Sequence, residues 1–565
     1  MLYLAGPLAA SAAAPIAVSV DFNAIGRPVS PLLFGVSYGD PARNAQIGYR
    51  LVRWGGNSTT RYNWQVDVHN TGSDYYYENI PDCTSPDCTG TPPAGNSADT
   101  FLAAAIAGGA QPLLSIPTIG WTPRADSPKE HPYFVGFATT KYGVQTSTDF
   151  WDPPAGNGHC DGSKNKTAFC VGGLIVGNDP ADTSSAATPS FAQGWIGHLQ
   201  SVFGSAAAGG VKLFALDNEL MLWNSTHRDV HPAPVDYAEA WSRTQDYATA
   251  IKASEPGALV TGPVTWGYCD LFGSAKDNCY VGSDRDAHGG MPFVAWYLQQ
   301  VCAHPLAGGV RLVDYLDLHY YPQDPNGSAT HIVSDAEDAA TIARRLTSLK
   351  ELYDPNWMSN SWIADLGDDP TWHYAKPGLI PRVRAWIDQY CPETRLAISE
   401  YNWGGDDTAS GAVAQAELFG IFAREGVDLA ARWVAPASGT KAEYAFNLFL
   451  NYDDAGGRVD GRSAGAGSAN VDLIGAYAFR DFGRRNMLLV TNKDTSSHSV
   501  ALTFAQTQAG SCALYQFDAT HAVHAVALTC AAGTVLTLGA LPALSASLLV
   551  LADGDGLFRD GFDGS

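Results

Sequence analysis

Basic residues are scarce in this chain: Lys and Arg number 34 against 57 Asp and Glu, a net charge of −23 at pH 7. A field of that sign repels phosphate backbones, so nucleic acid is not an expected partner, while a neutral polymer is indifferent to it. No apolar run beyond the N-terminal stretch is long enough to cross a bilayer, and no membrane partner is expected. Repeated CxxC pairs and the histidine spacing of a structural zinc site are missing. So is an EF-hand loop. No glycine-rich phosphate loop follows the first strand, which weakens the doubly wound nucleotide-binding sheet as a candidate fold. No internal repeat is present.

The 565 residues suggest about two to three domains at ~150 residues each, and a 45% hydrophobic content allows a large core. The ten cysteines fall mostly in close pairs: Cys83 and Cys88, Cys160 and Cys170, Cys269 and Cys279, Cys512 and Cys530. Cys302 and Cys391 are left over. An even, clustered set reads as disulfides in an oxidising compartment, though spacing alone does not prove connectivity. Residues 1–14 are short, apolar and Ala-rich, and read as the remnant of a signal peptide lacking its basic start; a secreted or extracytoplasmic protein is expected.

Between residues 31 and 440, β-type runs alternate with segments of helical period. Strands are expected at 32–38, 50–54, 112–117, 211–216, 259–265, 315–320, 395–399 and 429–434. Helices are expected at 98–107, 191–207, 237–254, 292–302, 336–353, 379–390 and 413–424. Eight strands with intervening helices indicate an α/β fold, a (β/α)8 TIM-type barrel. From 441 to 552, short β runs at even spacing indicate an appended all-β sandwich. The strand in 15–30 is expected to join that sandwich, because no helix follows it. Residues 553–565 form a Gly/Asp-rich tail. Loops as long as 67–93, 122–189 and 356–376 would build a cleft on a barrel.

Two β runs end in glutamate: one closes with Asp217-Asn218-Glu219, the other with Ser399-Glu400-Tyr401. On strands four and seven, both carboxyls would reach the C-terminal face, where barrel active sites lie. An isolated Glu after a strand is more often a helix cap or an ion-pair partner. Two so placed match the carboxyl pair of a glycosidase. A separation of ~5–5.5 Å gives retention and ~6.5–9.5 Å gives inversion; the short distance is expected here. Glu219 would be the acid/base and Glu400 the nucleophile.

Around this pair, Arg53 either holds Glu400 ionised or makes a structural ion pair. Asn57, Asn218, His319 and Tyr321 are candidate sugar-binding or supporting groups. Trp54, Trp64, Trp266, Trp403 and Trp433 stand at or near strand ends, where rings could stack on sugars, although core packing is the default for tryptophan. Glu78, Asp149, Asp152 and Asp161 are loop carboxylates that could hold a structural calcium ion.

Four segments carry a resemblance: RWGGNSTTRYNW at 53–64 with Glu78-Asn79-Ile80-Pro81 beyond it, LDNE at 216–219 with Trp223, Thr226, His227 and Arg228, DLHYYPQ at 317–323, and ISEYNWG at 398–404. Together they resemble glycoside hydrolase family 44, over residues 30–460. The first segment is specific; NE and SEY alone occur in many barrel glycosidases. The resemblance implies a barrel with a β-sandwich and retaining endo-β-1,4-glucanase activity on glucan and xyloglucan. It also implies Glu219 as acid/base and Glu400 as nucleophile, with no catalytic cofactor. The cysteine-bearing loops depart from the family pattern. The expected partner is a β-glucan acted on by a monomer. The competing readings are another retaining barrel glycosidase, such as an arabinofuranosidase, and a non-catalytic carbohydrate-binding barrel.

Overall fold

The computed structural model describes residues 14–82, 95–325, 332–481 and 485–552. Most of the leader, the Cys83 and Cys88 pair and the C-terminal tail lie outside the described residues.

Eight parallel strands close into a barrel: Gly35–Ser37, Leu51–Trp54, Gln111–Ile116, Leu213–Leu216, Leu259–Thr265, Tyr315–Tyr320, Arg395–Tyr401 and Leu429–Arg432. The first is shorter than its apolar run suggests. Ser30 caps a 3-10 turn at Pro31–Leu33, and Pro31, lacking an N–H, begins that turn instead of a ladder. Leu51, Leu113, Leu213, Ala215, Tyr315, Ala397, Leu429 and Ala431 fill the barrel interior. Strand side chains alternate, so the next inward positions toward the C-terminal end carry Arg53, Asp317 and His319. Strict alternation would turn Glu400 away from the axis, because Ala397 and Ser399 point in. A register shift against both neighbouring strands near this point lets Glu400 reach the mouth as well.

The helices start where side chains supply caps. Asn96 accepts from Asp99 N at the head of Ser97–Ala107, and Asp236 from Glu239 N at the head of Tyr237–Ser254. The helix expected over 336–353 is two pieces, Ala339–Thr347 and Lys350–Tyr353. The helix Ala442–Leu450 corrects the expectation that sandwich texture begins at 441. It packs on Ala409–Glu425 and Pro41–Ile47 as part of the barrel's outer ring, and the first strand beyond it is Arg462–Ser468.

That later region is a nine-stranded sheet that folds back on itself. Val18, Val20, Ile474, Leu488, Val490, Val500, Leu502 and Leu549 meet in one core. The N-terminal strand Ile16–Asp21 lies between Arg462–Ser468, antiparallel, and His498–Gln508, parallel. Arg462–Ser468 was not anticipated: its Ser, Ala and Gly residues lack the β-branched signal, and pairing alone makes it a strand. Glu417, buried on the helix Ala409–Glu425, ties sheet to barrel. It accepts from Tyr477 Oη at 2.8 Å, from Thr491 Oγ1, and from Lys493 Nζ at 3.3 Å.

Four disulfides link Cys160–Cys170, Cys269–Cys279, Cys302–Cys391 and Cys512–Cys530. The third joins two barrel helices 89 residues apart in sequence. Among the described residues, no helix is long and apolar enough to cross a membrane.

Candidate active site

The fourth strand ends in a sharp turn. Asp217 and Glu219 both adopt positive φ, +69° and +46°. Asp217 is fully buried and accepts from the backbone N of Thr118 at 2.5 Å and of Ile119 at 3.1 Å. These bonds stabilise a conformation that non-glycine residues seldom adopt. The turn sends the Glu219 carboxyl into the barrel mouth. There its Oε1 lies 2.9 Å from Nδ1 of His319 on the sixth strand.

Glu400, on the seventh strand, has both oxygens engaged. Oε2 accepts from Arg53 Nη1 and Oε1 from the Tyr321 hydroxyl, each at 2.7 Å. Arg53 is fully buried, and its Nη2 also donates to Asn218 Oδ1 at 2.7 Å. His319 Nε2 lies 3.2 Å from Ser399 Oγ. Two glycines after Arg53 make room for this packing. A Cβ on Gly55 would sit 2.4 Å from Arg53 Nε, and one on Gly56, at φ +95°, 2.5 Å from the Trp433 ring.

One oxygen of Glu219 lies within 4.8 Å of one oxygen of Glu400, with a His319 nitrogen within the same reach of both. The two carboxyls sit in opposite surroundings. Burial, and then the negative charge of Glu400, raise the Glu219 pKa above the ordinary value, against the opposing bond from His319. Burial works against ionised Glu400 too, but His319, Arg53 and Tyr321 outweigh it and hold that carboxyl below the ordinary value. Among the described residues, Glu219, His319 and Glu400 are the one compact set of three metal-ligating side chains. A cation there would have to displace the Arg53 guanidinium from Glu400, so the donor set suits a pair of carboxyls better than a metal.

A cavity of about 190 Å³ adjoins Glu219, walled by Trp266, Tyr321, Gln323 and Trp362. Trp266 is 36% exposed, and Asp270 Oδ2 holds its backbone N at 2.9 Å.

A model of glycoside hydrolase family 44 matches residues 68–324. The chain superimposes on CelM2, a bifunctional glucanase-xylanase protein from a metagenome library, with a TM-score of 0.85 and 34% identity. That alignment takes in 95% of this chain and 99% of CelM2. This chain belongs to glycoside hydrolase family 44. Two curated relatives are similar over shorter shares. Endoglucanase A of Paenibacillus lautus is 32% identical over 278 residues, 49% of this chain and 37% of that protein. Beta-mannanase/endoglucanase A of Caldicellulosiruptor saccharolyticus is 27% identical over 482 residues, 82% of this chain and 33% of that protein. The chain thus spans about a third of the length of the curated relatives it matches.

At the barrel mouth of this family 44 chain, Arg53, Asn218, Glu219, His319, Tyr321 and Glu400 converge. Asn57 joins them through Asn218 Nδ2, 3.1 Å from its Oδ1. Trp266 and the half-buried Trp433 line the mouth. Three other tryptophans are not cleft platforms. Trp54 packs edge-on against Tyr62 and Phe101, Trp64 stacks on His198, and Trp403 is buried beside Tyr320 with its Nε1 on Ser348 Oγ. Each sits where neighbouring helices supply apolar partners, so burial wins over exposure.

Of the loop carboxylates, Asp161 is exposed and accepts from Ser163 N, apart from the others. Glu78 is fully buried, and neither of its oxygens has a hydrogen-bond donor. Burial, then the charges of Asp149 and Asp152, push its pKa up to about 8. Asp217, Ser399, Gln323 and Trp362 escaped sequence reasoning. Asp217 and Ser399 each sit one or two residues from a glutamate already singled out, so motif adjacency was the available signal.

Proposed function

We propose that this chain is a retaining, endo-acting glycoside hydrolase of β-1,4-glucan backbones, xyloglucan included, with Glu219 as acid/base and Glu400 as nucleophile. The observation that carries the reading is the close approach of two carboxyls whose pKa values their surroundings push in opposite directions, Glu219 up and Glu400 down. An oxygen-to-oxygen reach within 4.8 Å suits the ~5–5.5 Å arrangement of retaining enzymes and leaves little room for the water an inverting enzyme needs.

Glu400 attacks the anomeric carbon while Glu219 donates its proton to the departing glycosidic oxygen, and the C1–O bond breaks to leave a glycosyl ester on Glu400. Glu219, now ionised, takes a proton from water, whose oxygen attacks C1 and releases the ester. Arg53 and Tyr321 stabilise Glu400 as an anion at the start and as a leaving group at the end. Asn218 has one amide hydrogen beyond the bond to Asn57, free to donate to a sugar hydroxyl. Trp266 supplies a ring at the cleft edge for stacking.

The acid cluster around Glu78 adds a structural calcium ion to this reading. A buried carboxyl without donors beside two further carboxylates is costly unless a cation joins it, and all-oxygen donors suit calcium. Glu78, Asp149 and Asp152, which stand farther apart than the Glu219, His319 and Glu400 set, would have to close around it, bracing two loops and taking no part in bond cleavage. The four disulfides support an extracytoplasmic setting, and the acidic charge suits a neutral polysaccharide met by a monomer.

The test follows β-glucan and xyloglucan hydrolysis by viscosity, reducing ends and proton NMR. A viscosity drop ahead of reducing ends, with β-configured first products, is expected. Release of α-configured sugar would overturn the retaining assignment, and absence of cleavage on every β-glucan would leave the carbohydrate-binding reading.

A further inference from the structure

Phe150 and Trp151 are the most exposed large apolar side chains among the described residues, 82% and 72% open to solvent, where the next most exposed tryptophan, Trp266, is 36% open. Lone exposed apolar residues are ordinary, but a contiguous exposed aromatic patch marks an interaction surface. Their turn is firmly held. Asp149 N donates to Ala155 O, Ala155 N to Asp152 O, Asp152 N to Asp149 Oδ2 at 2.9 Å, and Tyr133 N to Asp152 Oδ2 at 2.7 Å. The two rings meet edge to face at 5.1 Å, so neither collapses onto the protein.

A second aromatic pair stands beside them. Tyr75 and Tyr76 also meet edge to face at 5.1 Å, and their hydroxyls bond Asp149 Oδ1 at 2.5 Å and Ser147 Oγ at 2.9 Å. Both pairs connect back to the catalytic residues through short polar contacts. Asn218 Nδ2 donates to Asn57 Oδ1, and Asn57 Nδ2 to Asp74 Oδ2 at 3.0 Å; Asp74 directly precedes Tyr75. This line leaves the mouth over the second barrel strand. The cavity bounded by Trp266, Tyr321 and Trp362 lies beyond Glu219, over the fifth and sixth strands, on the other side of the mouth.

We propose that Phe150 and Trp151, with Tyr75 and Tyr76 beside them, form a remote stacking platform. It grips the glucan chain on the glycone side of the cleavage point, several sugars from Glu400. The inference rests on the cleft being the glucan-cleaving site. The side follows from the chemistry: the acid faces the leaving group, so the cavity beside Glu219 takes the aglycone and the opposite exit takes the glycone. The occupant follows from continuity with the cleft, and charge agrees, since a surface this acidic repels an anionic polymer and leaves a neutral glucan unopposed.

The test is native affinity electrophoresis in gels containing xyloglucan or hydroxyethylcellulose. It compares Glu400→Gln protein with the same protein carrying Phe150→Ala and Trp151→Ala, and with Phe150→Tyr and Trp151→Tyr. The alanine form should show at least fivefold weaker retardation, and the tyrosine form should recover most of it. In the active background, the alanine pair should raise KM on the long polymer while leaving hydrolysis of a short aryl cello-oligosaccharide unchanged. Equal retardation of alanine form and parent, or a parent that neither gel retards, overturns the platform. Wild-type protein that cleaves β-glucan, with alanine variants that are not weakened in either assay, sinks the platform alone. Wild-type protein that cleaves no β-glucan sinks the activity reading and with it the glycone-side assignment.

Discussion

Tyr321→Phe isolates one hydrogen bond on Glu400, the proposed nucleophile. The Tyr321 hydroxyl donates to Glu400 Oε1 at 2.7 Å inside the site, while Arg53 Nη1 donates to Oε2 and His319 Nδ1 lies 3.7 Å from it. Phenylalanine keeps the ring and removes the donor. A hydrogen bond to a charged group contributes about 1.5–3 kcal/mol, and 1.36 kcal/mol is one pKa unit. The Glu400 pKa, held down partly by this bond, should therefore rise by about one to two units. The group must be ionised to attack, so activity present above its pKa is lost as pH falls through it. The acid limb of kcat/KM should move up by that amount. The alkaline limb, set by the raised carboxyl of Glu219, should stay within a few tenths of a unit. The assay is a pH profile of kcat/KM on an aryl cellobioside, with thermal unfolding as a control for folding. An unmoved acid limb, or an alkaline limb that moves instead, would refute the assignment of Glu400 as the ionised partner.

Glu219→Gln should lower kcat/KM on polysaccharide by about two to four orders of magnitude, the span of general acid catalysis, while sparing the glycosylation step of substrates with strongly acidic leaving groups. Equal losses on both would remove Glu219 as the acid. Calcium at about a hundred times its Kd should stabilise the protein by about 2.7 kcal/mol. Because the Glu78 pKa is raised from 4.5 to about 8, the metal-free protein should lose stability as pH climbs through that window, and the calcium gain should grow across it. Glu78→Gln should abolish the gain in differential scanning calorimetry, and a persisting gain would move the ion elsewhere. Glu417→Ala leaves Lys493 buried without its carboxylate, and should cost about 3–5 kcal/mol in denaturant unfolding; a loss under 1 kcal/mol would mean water replaces the partner.

Much of the barrel was legible because its signals are local. The strands Leu259–Thr265 and Tyr315–Tyr320 and the helices Tyr237–Ser254 and Leu379–Tyr390 each carry their own period and stop residues. Glu219 and Glu400 stood out for the same reason, as acidic residues closing apolar runs. Arg462–Ser468 and Ala442–Leu450 were not legible. The first is a strand by virtue of its neighbours, and the second is an apolar helix in a region whose other runs read as strands.

Sequence alone determined most of the barrel's strands and helices, the charge that disfavours polyanionic partners, and the glutamates at the ends of two strands. All three depend on residues within a few positions of one another or on simple sums over the chain. Tertiary structure alone decided which tryptophans face the cleft, how a register shift brings Glu400 to Arg53, and that Phe150 and Trp151 stand bare beside Tyr75. Burial and pairing depend on what the rest of the chain places within a few ångströms, and no local pattern encodes that.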